Sequence, residues 1–396
     1  MPRRLLFALL AMGVAQAAVY MVRPATSYRL LAYGEGPREV GLVAAAFALL
    51  PIFLAIPLGR LSDQRGAPLL LVGCAVQTAG CLFLAVSTDT STIAVASAVV
   101  GLGHLALALG AQDVIARESE SARHDQHFGL LTAGVSLGQL VGPLLVGLVL
   151  GAGAAPSAAS TTRVMLIAAG IAALATACAA VADLGRSSVR PRAKARRGSV
   201  RAIVSTRGVP AGIFASIAVL SAADVFTAYL PVIGESRDIG PRAIGGLLAL
   251  RAAASIAARV GIGGIVRRVG RRLLISIGAI AAAVALMAMT VTDDVWALAA
   301  LCVVMGFGLG FGQPLSMTLV VQLVPEHARS TALAVRLTGN RIGQVATPAA
   351  AGVVAGSTGV SSVFWLLGAL LVASALAIHG PAPPRPTEPG LETVGE

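Results

Sequence analysis

Charged side chains are scarce in this chain: Asp, Glu, Lys and Arg make up 12% of its 396 residues, against roughly a quarter in an average soluble domain. Water cannot be the solvent for most of such a surface. Lysine is nearly missing, and Lys194 stands outside any Gly-rich loop that could cradle phosphates, which removes a Walker-type ATP site. Aromatic residues are few, at 4%, and do not interleave with the basic ones, so the net charge of +12 does not imply a nucleic-acid partner. Cys74, Cys81, Cys178 and Cys302 fall inside apolar runs without ligand spacing; neither a metal nor a cofactor is expected. His124, His127, His327 and His379 lie in loops or at helix ends. With no His-Glu-x-x-His and no Ser/His/Asp set at membrane depth, an enzyme is not expected.

What the chain has is apolar sequence: 56% hydrophobic residues, 45 glycines and a mean hydropathy of +0.84. The apolar residues come in runs of about twenty, the length a helix needs to cross a hydrocarbon layer of about 30 Å. This predicts an all-α membrane protein with twelve transmembrane helices, at 5–26, 40–59, 68–87, 91–114, 127–149, 162–182, 209–231, 242–265, 272–291, 295–318, 330–354 and 360–379. The first run imitates a signal peptide, with Arg3 and Arg4 ahead of an apolar core and Ala15-Gln16-Ala17 behind it. We read it as a retained helix, because its removal would leave an odd number of spans.

After the sixth span, Arg186, Arg190, Arg192, Lys194, Arg196, Arg197, Arg201 and Arg207 are opposed only by Asp183. This basic stretch divides the chain into an N-terminal six-helix bundle (1–183), a cytoplasmic linker (184–208), a C-terminal six-helix bundle (209–380) and a Pro-rich, disordered cytoplasmic tail (381–396). With both termini inside, 20 of the 30 basic residues fall on the inner side, five outside (Arg29, Arg38, Arg163, Arg237, Arg242) and five within spans. Cytoplasmic loops retain Lys and Arg, so both termini are placed in the cytoplasm of a bacterial inner membrane.

The halves repeat. At a shift of 205 residues Gly134, Gly138, Gln139, Pro143 and Gly147 fall on Gly339, Gly343, Gln344, Pro348 and Gly352. At a shift of 204, Gly59, Gly66, Leu69 and Leu70 fall on Gly263, Gly270, Leu273 and Leu274. Matched Gln and Pro within membrane spans make chance overlay a poor explanation. Six plus six helices of the same topology form a parallel repeat, with a substrate site between the pseudo-symmetric halves.

Two motifs carry a resemblance to a known family. Gly59-Arg60-Leu61-Ser62-Asp63-Gln64-Arg65-Gly66, between spans 2 and 3, resembles the signature of the major facilitator superfamily, though Gln64 and Ala67-Pro68 replace its usual basic residues. Gly59, Asp63, Arg65 and Gly66 would form a conformational latch, with Asp63 meeting a helix N-terminus or an arginine. Asp113 is a candidate for the same latch. The second-half copy has Arg267, Arg268, Arg271 and Arg272 but no acid. In span 5, Gly129, Gly138, Gly142, Pro143 and Gly147 resemble the antiporter motif of the twelve-helix proton-coupled drug and metabolite antiporters, with Val146 in place of a glycine. Glycines flatten a helix face and Pro143 permits a bend, which suits a pivot; generic close packing is the other reading.

Ionisable groups inside spans mark pathways or buried pairs. Gln16, Tyr20 and Arg23 share a face of span 1; Arg251, Ser255 and Arg259 share one of span 8; Arg336, Asn340, Gln344 and Thr347, with Arg341 beside them, share one of span 11. Gln139 of span 5 joins the expected pathway. By depth, Asp224 of span 7 matches Arg251, and the two could form either a locked pair or a switch. His104 in span 4 is a packing residue or a second titratable one. The mostly positive interior favours an anionic or zwitterionic small molecule. Taken with the resemblance, these residues predict a monomeric secondary transporter moving a small organic solute by alternating access, driven by the proton gradient. Efflux follows from the span 5 motif; the alternative is a proton-coupled importer of a metabolite such as a sugar or organic acid.

Overall fold

Runs of Ala, Leu, Val and Gly in an apolar solvent have only their own backbone to satisfy their N–H and C=O groups, so they close into helices. A computed structural model describes residues 2–65, 68–118, 123–153, 156–184, 199–325 and 328–379, and these segments are helices joined by short turns. The helices are α1 (Arg3–Ala32), α2 (Pro37–Arg65), α3 (Leu69–Val86), α4 (Thr90–Glu118), α5 (His124–Leu150), α6 (Ala158–Leu184), α7 (Val200–Ser205), α8 (Val209–Ser236), α9 (Pro241–Val269), α10 (Arg271–Ala288), α11 (Val295–Gln322), α12 (Arg329–Thr358) and α13 (Ser361–Ile378). Each predicted span has one helix. The short α7, started by the Ser199 hydroxyl accepting from the Ala202 amide, was not anticipated.

Among the described residues eleven helices are long and apolar enough to cross a membrane; α12, with Arg336, Asn340, Arg341 and Gln344 along it, is long enough but more polar. Large apolar side chains point outward along the helices, among them Phe53, Val86, Leu148, Val260 and Leu376. Trp296 and Trp365 stand exposed at the starts of α11 and α13, where a membrane–water interface would take them.

The packing is a repeat. In the first bundle α1 packs on α4, α5 and α6, α3 on α4 and α6, and α2 on α4; in the second α8 packs on α11, α12 and α13, α10 on α11 and α13, and α9 on α11. Gly73 of α3 meets Gly103 of α4 backbone to backbone, as Gly278 of α10 meets Gly308 of α11. Where α9 turns into α10, Gly270 adopts φ 85°, a conformation a side chain would strain. The halves meet through α1 on α8, α2 on α12 and α5 on α9.

The two ends of this interface differ. Away from the chain termini it is tight: a Cβ on Gly41 would stand 2.5 Å from the Gly352 Cα, and one on Gly147 would stand 3.0 Å from the Pro241 oxygen. The Tyr229 hydroxyl donates to the Pro37 carbonyl (2.8 Å) and the Ser27 hydroxyl to the Ala228 carbonyl (2.7 Å). Towards the termini, a Cβ on Gly59, Gly129, Gly263 or Gly264 would meet either nothing or, at Gly263, only the far end of Arg267 within 4 Å among the described residues. Among the described residues the bundles close at one end and stand clear of these glycines at the other, splayed end.

Candidate functional site

The centre of the interface is held by the Arg23 guanidinium of α1 and the Asp224 carboxylate of α8, which form an ion pair across the two bundles. Gln344 of α12 donates its amide to the other oxygen of Asp224 (2.6 Å), and Arg341 donates to the Gln344 carbonyl oxygen (2.9 Å). Arg23 also lies over the Phe47 ring at 4.5 Å and the Tyr20 ring at 5.5 Å. Both charges are mostly buried, with side-chain exposures of 15% and 11%. Asp224, on α8, is therefore oriented from two helices, α12 of its own bundle and α1 of the other.

The depth match that paired Asp224 with Arg251 is corrected here: the carboxylate takes Arg23, and Arg251 instead lies 6.0 Å over the Phe226 ring. Its Nε has no hydrogen-bond partner. Arg29, assigned from sequence to an outer loop, is inside α1 and 1% exposed, where it donates to the Ala85 and Ser87 carbonyls (3.0 and 2.6 Å) at the end of α3.

The remaining residues fall into groups. Gln139 of α5 donates to the Tyr20 hydroxyl (3.1 Å), the counterpart of Gln344 donating to Asp224. Gln16 is buried with Oε1 unpartnered. His104 packs on Phe47, ring centroids 6.2 Å apart, and its Nδ1 has no partner. Arg259 of α9 reaches the other bundle, donating to the Ser136 hydroxyl of α5 (3.1 Å). Arg336 and Asn340 serve their own bundle: Arg336 donates to the Gln313 side-chain oxygen (2.8 Å), and Asn340 accepts from Ser216 (2.9 Å).

The glycine motif of α5 divides. Gly138 and Gly142 press on Gln16, Ala17 and Tyr20 of α1, whereas Gly147 and the Pro143 carbonyl press on α9 of the other bundle; Gly129 touches nothing within 4 Å among the described residues. In the latch motif, Gly66 and the side chains of Asp63 and Arg65 lie outside the described residues. Asp113 pairs with Arg117 one turn on (2.8 Å), and Arg4 with Glu118 (2.6 Å).

Between the ion pair and the closed end lies a cavity of about 570 Å³, counting the solvent at its mouth. Arg23, Thr26, Ser27, Phe47, Asp224 and Gln344 contribute its polar and aromatic lining, and Val22, Leu30, Val40 and Val43 much of its apolar wall. Sequence reasoning missed Phe47 and Ser136. For Phe47 a signal existed: one of only two aromatics in its helix, it stands at the position that Arg251 occupies in the repeat.

Two bundles in parallel repeat, a polar crevice between them and closure at one end define a polytopic membrane transporter. The family model of the Major Facilitator Superfamily matches residues 8–272 and 212–395. The chain belongs to that superfamily. Among solved structures it is similar to a mutant of the nucleoside transporter NupG (14% identity, 94% of this chain and 98% of that one, TM-score 0.77). It is also similar to a POT family transporter in complex with 5-aminolevulinic acid (14%, 96% of each chain, TM-score 0.76). A third similar structure is a bacterial homologue of the human lysosomal transporter Spinster, in an inward-facing and occupied conformation (14%, 96% and 95%, TM-score 0.71). No curated protein sequence matches.

Proposed function

We propose that this transporter is a proton-coupled exporter of a small organic solute, working as a monomer in a bacterial inner membrane with both termini in the cytoplasm. In that orientation the splayed end faces inward and the tight end seals the outer side. The observation that carries the reading is Asp224, a carboxylate at the centre of the bundle interface, bonded to Arg23 of one half and Gln344 of the other.

While ionised, Asp224 ties α1 to α8. The attraction of such a pair is on the order of 4 kcal/mol at an effective dielectric of about 20, before the cost of desolvation is subtracted. Protonation removes it and frees Arg23 to turn into the cavity it lines. A proton entering from the outside would thus loosen the halves, and its release inward would restore the tie. Export as the direction is supported by the α5 glycine motif, whose Pro143 and Gly147 bear on the opposite bundle.

The test is flux in proteoliposomes carrying an internal pH reporter, with a solute first selected by thermal-shift screening of a metabolite and drug library. Outward solute movement is expected to drive protons the other way, and Asp224→Asn to bind and exchange solute without moving protons. Wild-type coupling in Asp224→Asn would remove Asp224 from the mechanism. Protons travelling with the solute would replace export by symport.

A further inference from the structure

The buried charges do not balance. Among the described residues the bundle interior holds six arginines, Arg23, Arg29, Arg251, Arg259, Arg336 and Arg341, against the single carboxylate of Asp224, and Arg29 is spent on the Ala85 and Ser87 carbonyls. Both oxygens of that carboxylate are occupied, one by Arg23 and the other by Gln344. Arg336 and Arg341 find neutral acceptors in Gln313 and Gln344. Arg251 finds none: it is 5% exposed, makes no ion pair, and rests only on the face of Phe226. Arg259 has the Ser136 hydroxyl alone, and its Nε is also buried without a partner.

A guanidinium held at membrane depth without a counter-charge is costly. The two arginines lie on one face of α9, two turns apart, and Arg259 reaches the Ser136 hydroxyl of α5. The helix that carries them is in the second bundle, and Ser136 is in the first. We propose that Arg251 and Arg259, with Ser136 across the interface, bind the carboxylate or phosphoryl group of a small organic anion, which supplies the missing charge.

The anion is organic because the interface cavity beside Arg23 is walled by Phe47, Val22, Leu30, Val40 and Val43, which offer apolar surface to a carbon skeleton. It is soluble rather than a lipid headgroup, because Arg251 stands ten residues into α9, about 15 Å from that helix end and hence near the middle of a ~30 Å layer. Its binding would draw α9 towards α1 and α5, so that the cargo itself ties the bundles together. The inference rests on the transport reading for the word cargo, but the site stands on the charge imbalance.

The experiment measures thermal unfolding of the purified full chain in neutral detergent with benzoate, succinate and phenyl phosphate. Benzamide, succinamide and benzylamine serve as neutral and cationic counterparts. The anions are expected to raise the unfolding temperature and the others not. Arg251→Gln and Arg259→Gln should each weaken the apparent anion affinity about 10- to 100-fold. Arg251→Lys, which keeps the charge, should recover part of it, and Arg163→Gln on the exposed face of α6 should change nothing. If Arg251→Gln does not fold, the contrast between anion and amide on the unaltered chain decides alone.

No anion-specific shift, or an equal shift in Arg251→Gln, overturns the site. So does stabilisation that arises from phosphatidylglycerol in phosphatidylcholine nanodiscs and not from the soluble anions. Flux run in parallel separates the two readings. Anion binding lost in Arg251→Gln without any flux keeps the site and ends the transport proposal; flux of a neutral or cationic solute indifferent to Arg251→Gln does the reverse.

Discussion

In an alternating cycle the tight outer contacts must part, so a side chain that crowds them should penalise the closed state and spare the open one. Gly41 and Gly245 are the places to test this. A methyl on Gly41 would stand 2.5 Å from both the Gly352 Cα and the Tyr229 hydroxyl, and one on Gly245 would stand 3.1 Å from the Gly147 Cα and closer still to the Pro143 carbonyl. Comfortable contacts are about 3.5–4.0 Å, and backbone cannot rotate aside. Overpacking of this kind costs about 1–3 kcal/mol, which as a population shift towards the outward-open state is roughly 5- to 150-fold. The assay places a reporter cysteine at Ala228, which lines the cavity below the seal, in a cysteine-free background. Labelling is by an impermeant maleimide from the side opposite the termini. Gly41→Ala and Gly245→Ala should each speed labelling by such a factor, up to saturation. Gly59→Ala and Gly129→Ala, which fill open space, should not. Unchanged labelling in well-folded Gly41→Ala protein would show that this seal is not what opens.

Arg23→Met leaves the Asp224 carboxylate buried without its cation and should cost about 3–5 kcal/mol of stability; the double variant Arg23→Met/Asp224→Asn should recover most of it, both read by thermal unfolding. Arg29→Ala strands the Ala85 and Ser87 carbonyls of α3 and should destabilise by on the order of 3 kcal/mol. Arg29→Lys should rescue it poorly, because an ammonium cannot fork to two carbonyls as a guanidinium does, and equal stability of the Lys variant would refute that account.

Twelve spans were legible because an apolar solvent forces the chain to announce each crossing as a long apolar run. The partner of Asp224 was not, and the cause is local. The first span is read as 5–26, and Ser27, Tyr28 and Arg29 just beyond it are polar. The helix instead continues to Ala32: Thr26 turns its hydroxyl back to the Val22 carbonyl, Ser27 spends its own on Ala228, and Arg29 is consumed by the end of α3. Thr26 is satisfied within the helix, whereas Ser27 and Arg29 have partners that only the tertiary fold supplies. The extra turn and a half places Arg23 nine residues from the helix end, about 13 Å deep rather than at the surface, level with Asp224. Depth counting then chose Arg251, which has the right charge and height on a helix that faces elsewhere.

The repeat and its departures divide the labour of the molecule. Where the halves agree, residues pack: Gly41 and Gly352 meet as Gly245 and Gly147 do, and Gly101 lies on the Phe47 carbonyl as Gly306 lies on that of Arg251. Where they disagree, charge appears. The equivalent glutamines Gln139 and Gln344 donate to a phenol, Tyr20, in one half and to a carboxylate, Asp224, in the other; Phe47 in one half answers to Arg251 in the other. A symmetric scaffold provides two related ways for the bundles to lean, which alternating access needs. Symmetric chemistry would couple both leans to the same event. On the proposed mechanism, a carboxylate in the second half at the position where the first half has a phenol would let a proton bias one arrangement against the other, and the uncompensated arginines of α9 would give the cargo the same one-sided hold.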